Sequence, residues 1–381
     1  MNLVPRPLRS LALLALVLNA ADAAVWPLVP SLRADLGLSG AEVGAFFAAP
    51  TLVVLISAVP VGQLGARFGP RPFFLLAAVL VPVSLATIAS SPGLGVLLAG
   101  RLAFGLAFAI FWSLGPALAA SRLPGTRGSA VVMTAAGAGW LVGPLLAGVL
   151  ARELGWRAPL LVIAALALPV VAPFLRPDGG ARVSRPVPLR ETFAVVRRSR
   201  VATWAVVTSA MLGAVTGAIG VLVPTVLADN GIGSAGIGVV VAVSSCVWVT
   251  AAAWSGRIRG RVSLRIVGTV AAALAVTWVL PVVSASSAAV VSFLIVAAAC
   301  RALLGALLYP LGATATNGEA STAALSGVLN LAWAAPALLT PLAAGVALEH
   351  DATRLAFAVM CAVGAMVAAG MLATGRRVAT A

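Results

Sequence analysis

The sequence predicts an all-α polytopic membrane protein, with twelve transmembrane helices in two pseudo-symmetric six-helix bundles. Three observations carry that expectation. First, 61% of the residues are hydrophobic and only 9% are charged, with a mean hydropathy of +1.10. A soluble domain carries roughly 25% charged residues, so this chain cannot cover a water-facing surface and its solvent must be lipid. Second, the chain repeats itself. Residues 30–67 align without gaps on residues 224–261, setting Pro30 on Pro224, Asp35 on Asp229, Gly37 on Gly231, Gly44 on Gly238, Gly62 on Gly256 and Arg67 on Arg261, a constant shift of 194 positions. Third, the 25 basic residues, all arginine, gather in alternate gaps between the apolar stretches.

A spanning helix needs roughly 20 apolar residues, and the sequence offers such stretches in order. Span 1, near 11–32, begins like a signal peptide, with Arg6, Arg9, an apolar run and Ala21-Asp22-Ala23. The run continues through Val25-Trp26-Pro27-Leu28-Val29, and removing it would leave eleven spans and break the repeat, so it is read as a retained helix. Spans 2 to 6 lie near 41–61, 73–91, 94–120, 129–151 and 157–175; spans 7 to 12 lie near 201–228, 235–253, 266–284, 287–316, 323–347 and 353–374. Gly and Pro inside several of them are tolerated because neighbouring helices satisfy the freed backbone groups. The expected organisation is an N-terminal bundle at 1–175, a basic linker at 176–200 and a C-terminal bundle at 201–381, with 187–200 as a short basic helix on the membrane surface.

Charge fixes the expected orientation. With the N-terminus inside, nineteen arginines fall on the cytoplasmic face, four (Arg33, Arg152, Arg157 and Arg354) on the outer face, and Arg101 and Arg301 within the membrane. This is the positive-inside pattern, and it predicts a multi-pass protein of the cell membrane with both termini cytoplasmic. The net charge of +15 therefore reports topology and contact with anionic lipid headgroups rather than nucleic-acid binding.

Composition also excludes function classes. Without lysine there is no phosphate-binding Walker loop and no retinal Schiff base. The one histidine, His350, and the cysteines Cys246, Cys300 and Cys361 share no metal-ligand spacing. No cofactor and no metal are expected. An intramembrane enzyme would need a nucleophile with a base, or paired acids, and Asp22 stands alone; His350 beside Glu349 and Asp351 reads as a solvated loop. A receptor or scaffold would not require matched charged helices in both halves.

Several motifs have a physical logic of their own. Gly62-Gln-Leu-Gly-Ala66-Arg67-Phe-Gly69-Pro-Arg71 lies between spans 2 and 3, with a degenerate copy, Gly256-Arg-Ile-Arg-Gly260-Arg261, between spans 8 and 9. Glycine there permits a tight turn and close backbone approach, and Arg67 and Arg71 can meet helix C-terminal dipoles. In span 5, Gly139, Gly143, Pro144 and Gly148 let a helix bend and pack closely on a neighbour; the same spacing is also ordinary membrane packing. Arg101-x-x-x-Gly105 lies in span 4, answered by Arg301-x-x-x-Gly305 in span 10, and Gly155-Trp156-Arg157 follows span 5.

On these motifs the whole chain resembles a twelve-helix transporter of the major facilitator superfamily, in its drug:proton antiporter branch. The resemblance implies that spans 1, 4, 7 and 10 line a central cavity and that the span 5 motif belongs with antiport. It also implies a charge latch at the span 2–3 loop, where the family usually carries an aspartate and this chain has Ala66.

Three ionisable side chains lie deep within spans: Asp22, Arg101 and Arg301. Each costs about 2.5–3.5 kcal/mol at a helix centre, so each needs a reason. Asp22 lies about 16 Å along span 1 from Leu11, and Arg101 descends to a similar depth, so the two can pair. Asn19 and Trp26 share the face of Asp22; Gly105, Phe108 and Trp112 share that of Arg101. Asp22 is expected either to carry a coupling proton, tuned against Arg101, or to form a static ion pair that locks the two helices. Arg301 has no evident acid partner and is left to backbone carbonyls, water, an anionic substrate group or packing. Gly305, Tyr309, Thr208, Asn330 and Trp333 are further cavity candidates, with Thr216 beside them; helix-packing hydrogen bonds are the plainer role of the polar ones.

The function expected is secondary active transport: proton-coupled efflux of small, largely apolar compounds by alternating access, in a monomer whose partners are a small-molecule substrate, protons and the lipid bilayer. The rival is an importer or exchanger of a small organic anion bound by Arg101 and Arg301.

Overall fold

The computed structural model describes residues 6–122, 127–175, 194, 196–255, 262–313 and 319–379. Among them are twelve helices long and apolar enough to cross a membrane. In the first half, α1 runs Arg6–Ala24 and continues through a 3-10 turn, Trp26–Leu28, into a last segment, Val29–Leu36. It is followed by α2 (Gly40–Phe68), α3 (Arg71–Ala89), α4 (Leu94–Arg122), α5 (Arg127–Leu154) and α6, which runs Arg157–Ala167 and is prolonged by Leu168–Val170 and Ala172–Leu175. The second half comprises α7 (Arg200–Asp229), α8 (Ser234–Ser255), α9 (Leu264–Thr277, then Val279–Val283), α10 (Ser287–Ala313), α11 (Glu319–Glu349) and α12 (Thr353–Ala379). Most of the linker at 176–200, the second copy of the loop motif at 256–261 and the side chain of Tyr309 lie outside the described residues.

Local chemistry sets the helix ends. Ser39 and Glu42 form a reciprocal capping box at the start of α2. Ser199 and Ser263 accept hydrogen bonds from the amides of Ala202 and Ile266 at the starts of α7 and α9. The repeat is visible in the turns: Gly37 and Gly231, equivalent by the shift of 194, both have positive φ (63° and 83°) where α1 and α7 end. Pro27 and Pro30 lack the amide hydrogens that an unbroken α1 would use, and this is where the 3-10 turn lies, closed by Leu28 N–H donating to Val25 O at 3.1 Å.

Within the first half α1 packs on α5 and α2 on α4; within the second, α7 packs on α11 and α9 on α12. The halves join through α2 against α11 and α5 against α8. Small residues make both contacts close. A Cβ on Gly44 would overlap the carbonyl oxygen of Pro341, and one on Gly238 would overlap that of Pro144. Gly44 and Gly238 are repeat equivalents, and Pro144-Leu-Leu-Ala-Gly148 in α5 is answered by Pro341-Leu-Ala-Ala-Gly345 in α11. The two interfaces are thus the same glycine-on-proline seat, used twice. Nearby, Gly40 meets Gly345, Gly148 meets Ser234 and Gly238, and the Oγ atoms of Ser31 and Ser234 lie 3.2 Å apart. The amide of Ala41 donates to Glu349 Oε1 at 3.0 Å, so a carboxylate of the second half caps a helix of the first. These contacts lie toward the face opposite the chain termini. Gly137 against Val249 extends the α5–α8 contact toward the other face.

A candidate substrate and coupling site between the halves

A cavity opens between the two bundles. The first half lines it with Asp22 and Trp26 of α1, Phe47, Pro50, Thr51 and Val54 of α2, Arg101, Phe104 and Phe108 of α4, and Trp140 of α5. The second half lines it with Thr216, Gly217 and Gly220 of α7 and Trp333, Ala337 and Pro341 of α11. The first wall is aromatic and charged; the second is small apart from Trp333, with Thr216 as its polar side chain.

Asp22 and Arg101 meet at this cavity. Arg101 Nη2 lies 3.4 Å from Asp22 Oδ1, and the two side chains are 2% and 20% exposed respectively. Arg101 also donates from Nε to the carbonyl oxygen of Phe46 at 3.2 Å. Its guanidinium lies 4.8 Å from the Phe46 ring centroid and 5.2 Å from that of Phe104. A backbone acceptor, an anion and aromatic faces therefore share one buried cation. Asp22 keeps partial access to the cavity, so its carboxylate can exchange a proton or accept a hydrogen bond from a ligand.

The repeat has a second copy of this arrangement, with one change. Thr216 stands 194 positions after Asp22, and Arg301 answers Arg101. Arg301 Nη2 donates to Thr216 Oγ1 at 3.2 Å, and Thr216 in turn donates to the carbonyl of Leu212 at 2.8 Å. The pairing is the same, but a neutral hydroxyl stands where the first half has a carboxylate.

The other candidates divide. Trp26, Phe108 and Trp333 line the cavity; Arg301 and Gly305 do not, Arg301 standing behind Thr216. Asn19 does not; it donates to Ala15 O at 2.8 Å and accepts from Trp140 Nε1 at 3.2 Å, orienting a ring that does line it. Gly105 packs against the backbone of Pro50 rather than facing the cavity. Trp112 meets Phe108 at a tilt and Phe111 edge-on, and is not on the cavity wall. Thr208 is turned toward α12, bonded to Trp204 O at 2.8 Å and to Met371 Sδ at 3.4 Å, so Thr216 takes the place expected for it. Asn330 is exposed and absent from the cavity wall. Sequence reading missed the α2 contribution, Phe47 to Val54; apolar residues on an apolar helix give no signal of what they face. Trp140 was missed for the same reason, and only the shift of 194 could have singled out Thr216.

The conformational motifs find distinct partners. Gly139 and Gly143 of α5 press on the backbone of Leu16 and Ala20 in α1, while Gly148 presses on α8. The motif thus clamps α5 between the Asp22 helix and the opposite half. In the α2–α3 motif, Arg71 donates to the carbonyls of Phe174 and Leu175 (3.1 and 2.6 Å), closing the C-terminal end of α6. Arg67 is exposed and lies over the Phe68 ring. Gly69 makes the turn, with φ 84°. Gly62 does neither job expected of it: it is inside α2, and a Cβ there would meet nothing within 4 Å.

The family model of the Major Facilitator Superfamily matches residues 11–341. The chain belongs to that superfamily. Among curated relatives of this major facilitator protein, one from Mycobacterium tuberculosis named as a probable multidrug-efflux transporter is 34% identical over 134 residues, 34% of this chain and 28% of that one. A multidrug efflux protein of Bacillus subtilis is 29% identical over 157 residues, 39% of each chain. The matched stretches thus span well under half of those relatives. Among solved structures, a bacterial homologue of the human lysosomal transporter Spinster, inward-facing and unoccupied, superposes with a TM-score of 0.74 at 13% identity, covering 98% of both chains. The major facilitator fold is therefore shared from end to end.

Proposed function

We propose that this protein exports small, largely apolar compounds in exchange for protons, by alternating access, with Asp22 as the proton carrier and Arg101 as its counter-charge. One observation carries the reading: a carboxylate with partial access to an otherwise aromatic and aliphatic cavity, 3.4 Å from a buried guanidinium. Protonating Asp22 cancels that pair and changes what the cavity offers a ligand; desolvation and the arginine pull its proton affinity in opposite directions, so a small change of geometry or water access loads or releases the proton. A wall drawn from both bundles supports a site about which the halves rock. The arginine distribution supports reading the face that bears the termini as the cytoplasmic one. The close contacts at Gly40, Ser31 and Glu349 then lie outside, as in a state closed toward the exterior. The multidrug-efflux names of the partial relatives support the direction.

The test begins with a toxicity screen in an efflux-deficient host, with and without a protonophore, to find a cargo. Wild type and Asp22→Asn are then compared in proteoliposomes with that cargo. Transport driven by a pH gradient should fall to background in Asp22→Asn while cargo binding remains. Undiminished gradient-driven transport in the variant would end the proton-carrier role.

A further inference from the structure

We infer that the cargo carries one anionic group, a carboxylate or sulfonate on an aromatic or aliphatic body, and that this group docks on Arg301 beside Thr216. The inference rests on the reading of the cavity as a cargo site and names what that site selects. Its basis is the broken symmetry between the halves. In the first half the membrane-embedded arginine is neutralised by Asp22; in the second, the equivalent position is Thr216, and among the described residues Arg301 meets no carboxylate. With Asp22 ionised, the three membrane-embedded charges, Arg101 buried and Asp22 and Arg301 partly exposed, sum to one uncompensated cation. A cation within the membrane is costly and is usually paired or turned to a water-filled cavity, and a guanidinium fork matches a carboxylate better than it matches a hydroxyl.

Arg301 is not itself on the cavity wall, but Thr216 is, with Gly217 and Gly220 beside it, so a group in the cavity meets Thr216 directly and Arg301 behind it. The second half also replaces Trp26 by Gly220 at the equivalent position, and the ring of Trp26 lies against that glycine. The aromatic wall supplied by the first half then takes the body of the cargo, and the second half takes its charge.

Binding to the purified full chain in a nonionic detergent tests this, read by tryptophan quenching with 1-naphthoate, 2-naphthalenesulfonate and indole-3-acetate against 1-naphthamide and 1-naphthylmethylammonium. Wild type should bind at least one of the anions about tenfold or more tighter than the neutral amide, a difference of about 1.4 kcal/mol. Arg301→Gln should bring that ratio to about one, and Arg301→Lys should restore part of it. Thr216→Asp supplies the missing carboxylate from the protein, reproduces a pairing the first half already accommodates, and should also abolish the preference. Equal affinity for amide and anions in wild type, tighter binding of the ammonium compound, or a preference surviving Thr216→Asp in monodisperse protein overturns the inference. The assay needs no gradient and no net movement, so its failure leaves proton coupling standing, and failure of the Asp22→Asn test leaves this assignment standing.

Discussion

Arg101 is held by an ion pair, a backbone carbonyl and the faces of Phe46 and Phe104. Removing one partner of a buried pair leaves the other charge stranded, at about 3–5 kcal/mol, whereas removing both can be nearly neutral. Arg101→Leu should therefore lower the melting temperature in detergent more than the double variant Asp22→Asn with Arg101→Leu, a coupling that a double-mutant cycle measures. Equal melting temperatures would mean that the pair contributes nothing beyond its packing. The pair itself was legible in the sequence, because charges are costly in lipid and only three lie deep within spans. The partner of Arg301 was not: a threonine on an apolar helix is indistinguishable from one that bonds its own backbone, as Thr208 does.

The α5 motif and the α2 motif look alike as strings of glycine, but their environments differ. A Cβ on Gly143 would strike the backbone of Ala20, while one on Gly62 would stand in open space. Gly143→Ala should destabilise the protein by about 1–3 kcal/mol, the range for overfilling a packed site, and impair transport by shifting α1 and with it Asp22. Gly62→Ala should be tolerated or slightly stabilising, since alanine favours a helix interior. Thermal melting and transport of the two variants, measured side by side, check this; a Gly62→Ala protein as impaired as Gly143→Ala would contradict it. Element positions followed from apolar runs alone, so the spans were readable. The 3-10 turn at Trp26–Leu28 was not anticipated, although Pro27 and Pro30 were in view, because proline inside a membrane helix is often accommodated without a break.

For the whole molecule, two bundles and their pseudo-symmetry were written in the shift of 194. Which helices join the bundles was not, because small residues mark every close helix contact and do not name the partner. The joint offers a direct test of alternating access. In a background lacking Cys246, Cys300 and Cys361, a disulfide between Ser31→Cys and Ser234→Cys should form readily from neighbours whose Oγ atoms are 3.2 Å apart. Oxidation should arrest transport and reduction should restore it; unchanged transport in fully crosslinked protein would mean that this face need not open.

At the glycine-on-proline seats, Gly44 with Pro341 and Gly238 with Pro144, the glycine brings backbone against a backbone carbonyl with no side chain of its own between. Two bodies that touch at two such points and stay touching keep a single freedom, rotation about the line through both. Were both seats to hold while the bundles rock, the repeat would have supplied an axle whose two bearing points are backbone, leaving the Ser31–Ser234 and Ala41–Glu349 contacts as the ones that must part.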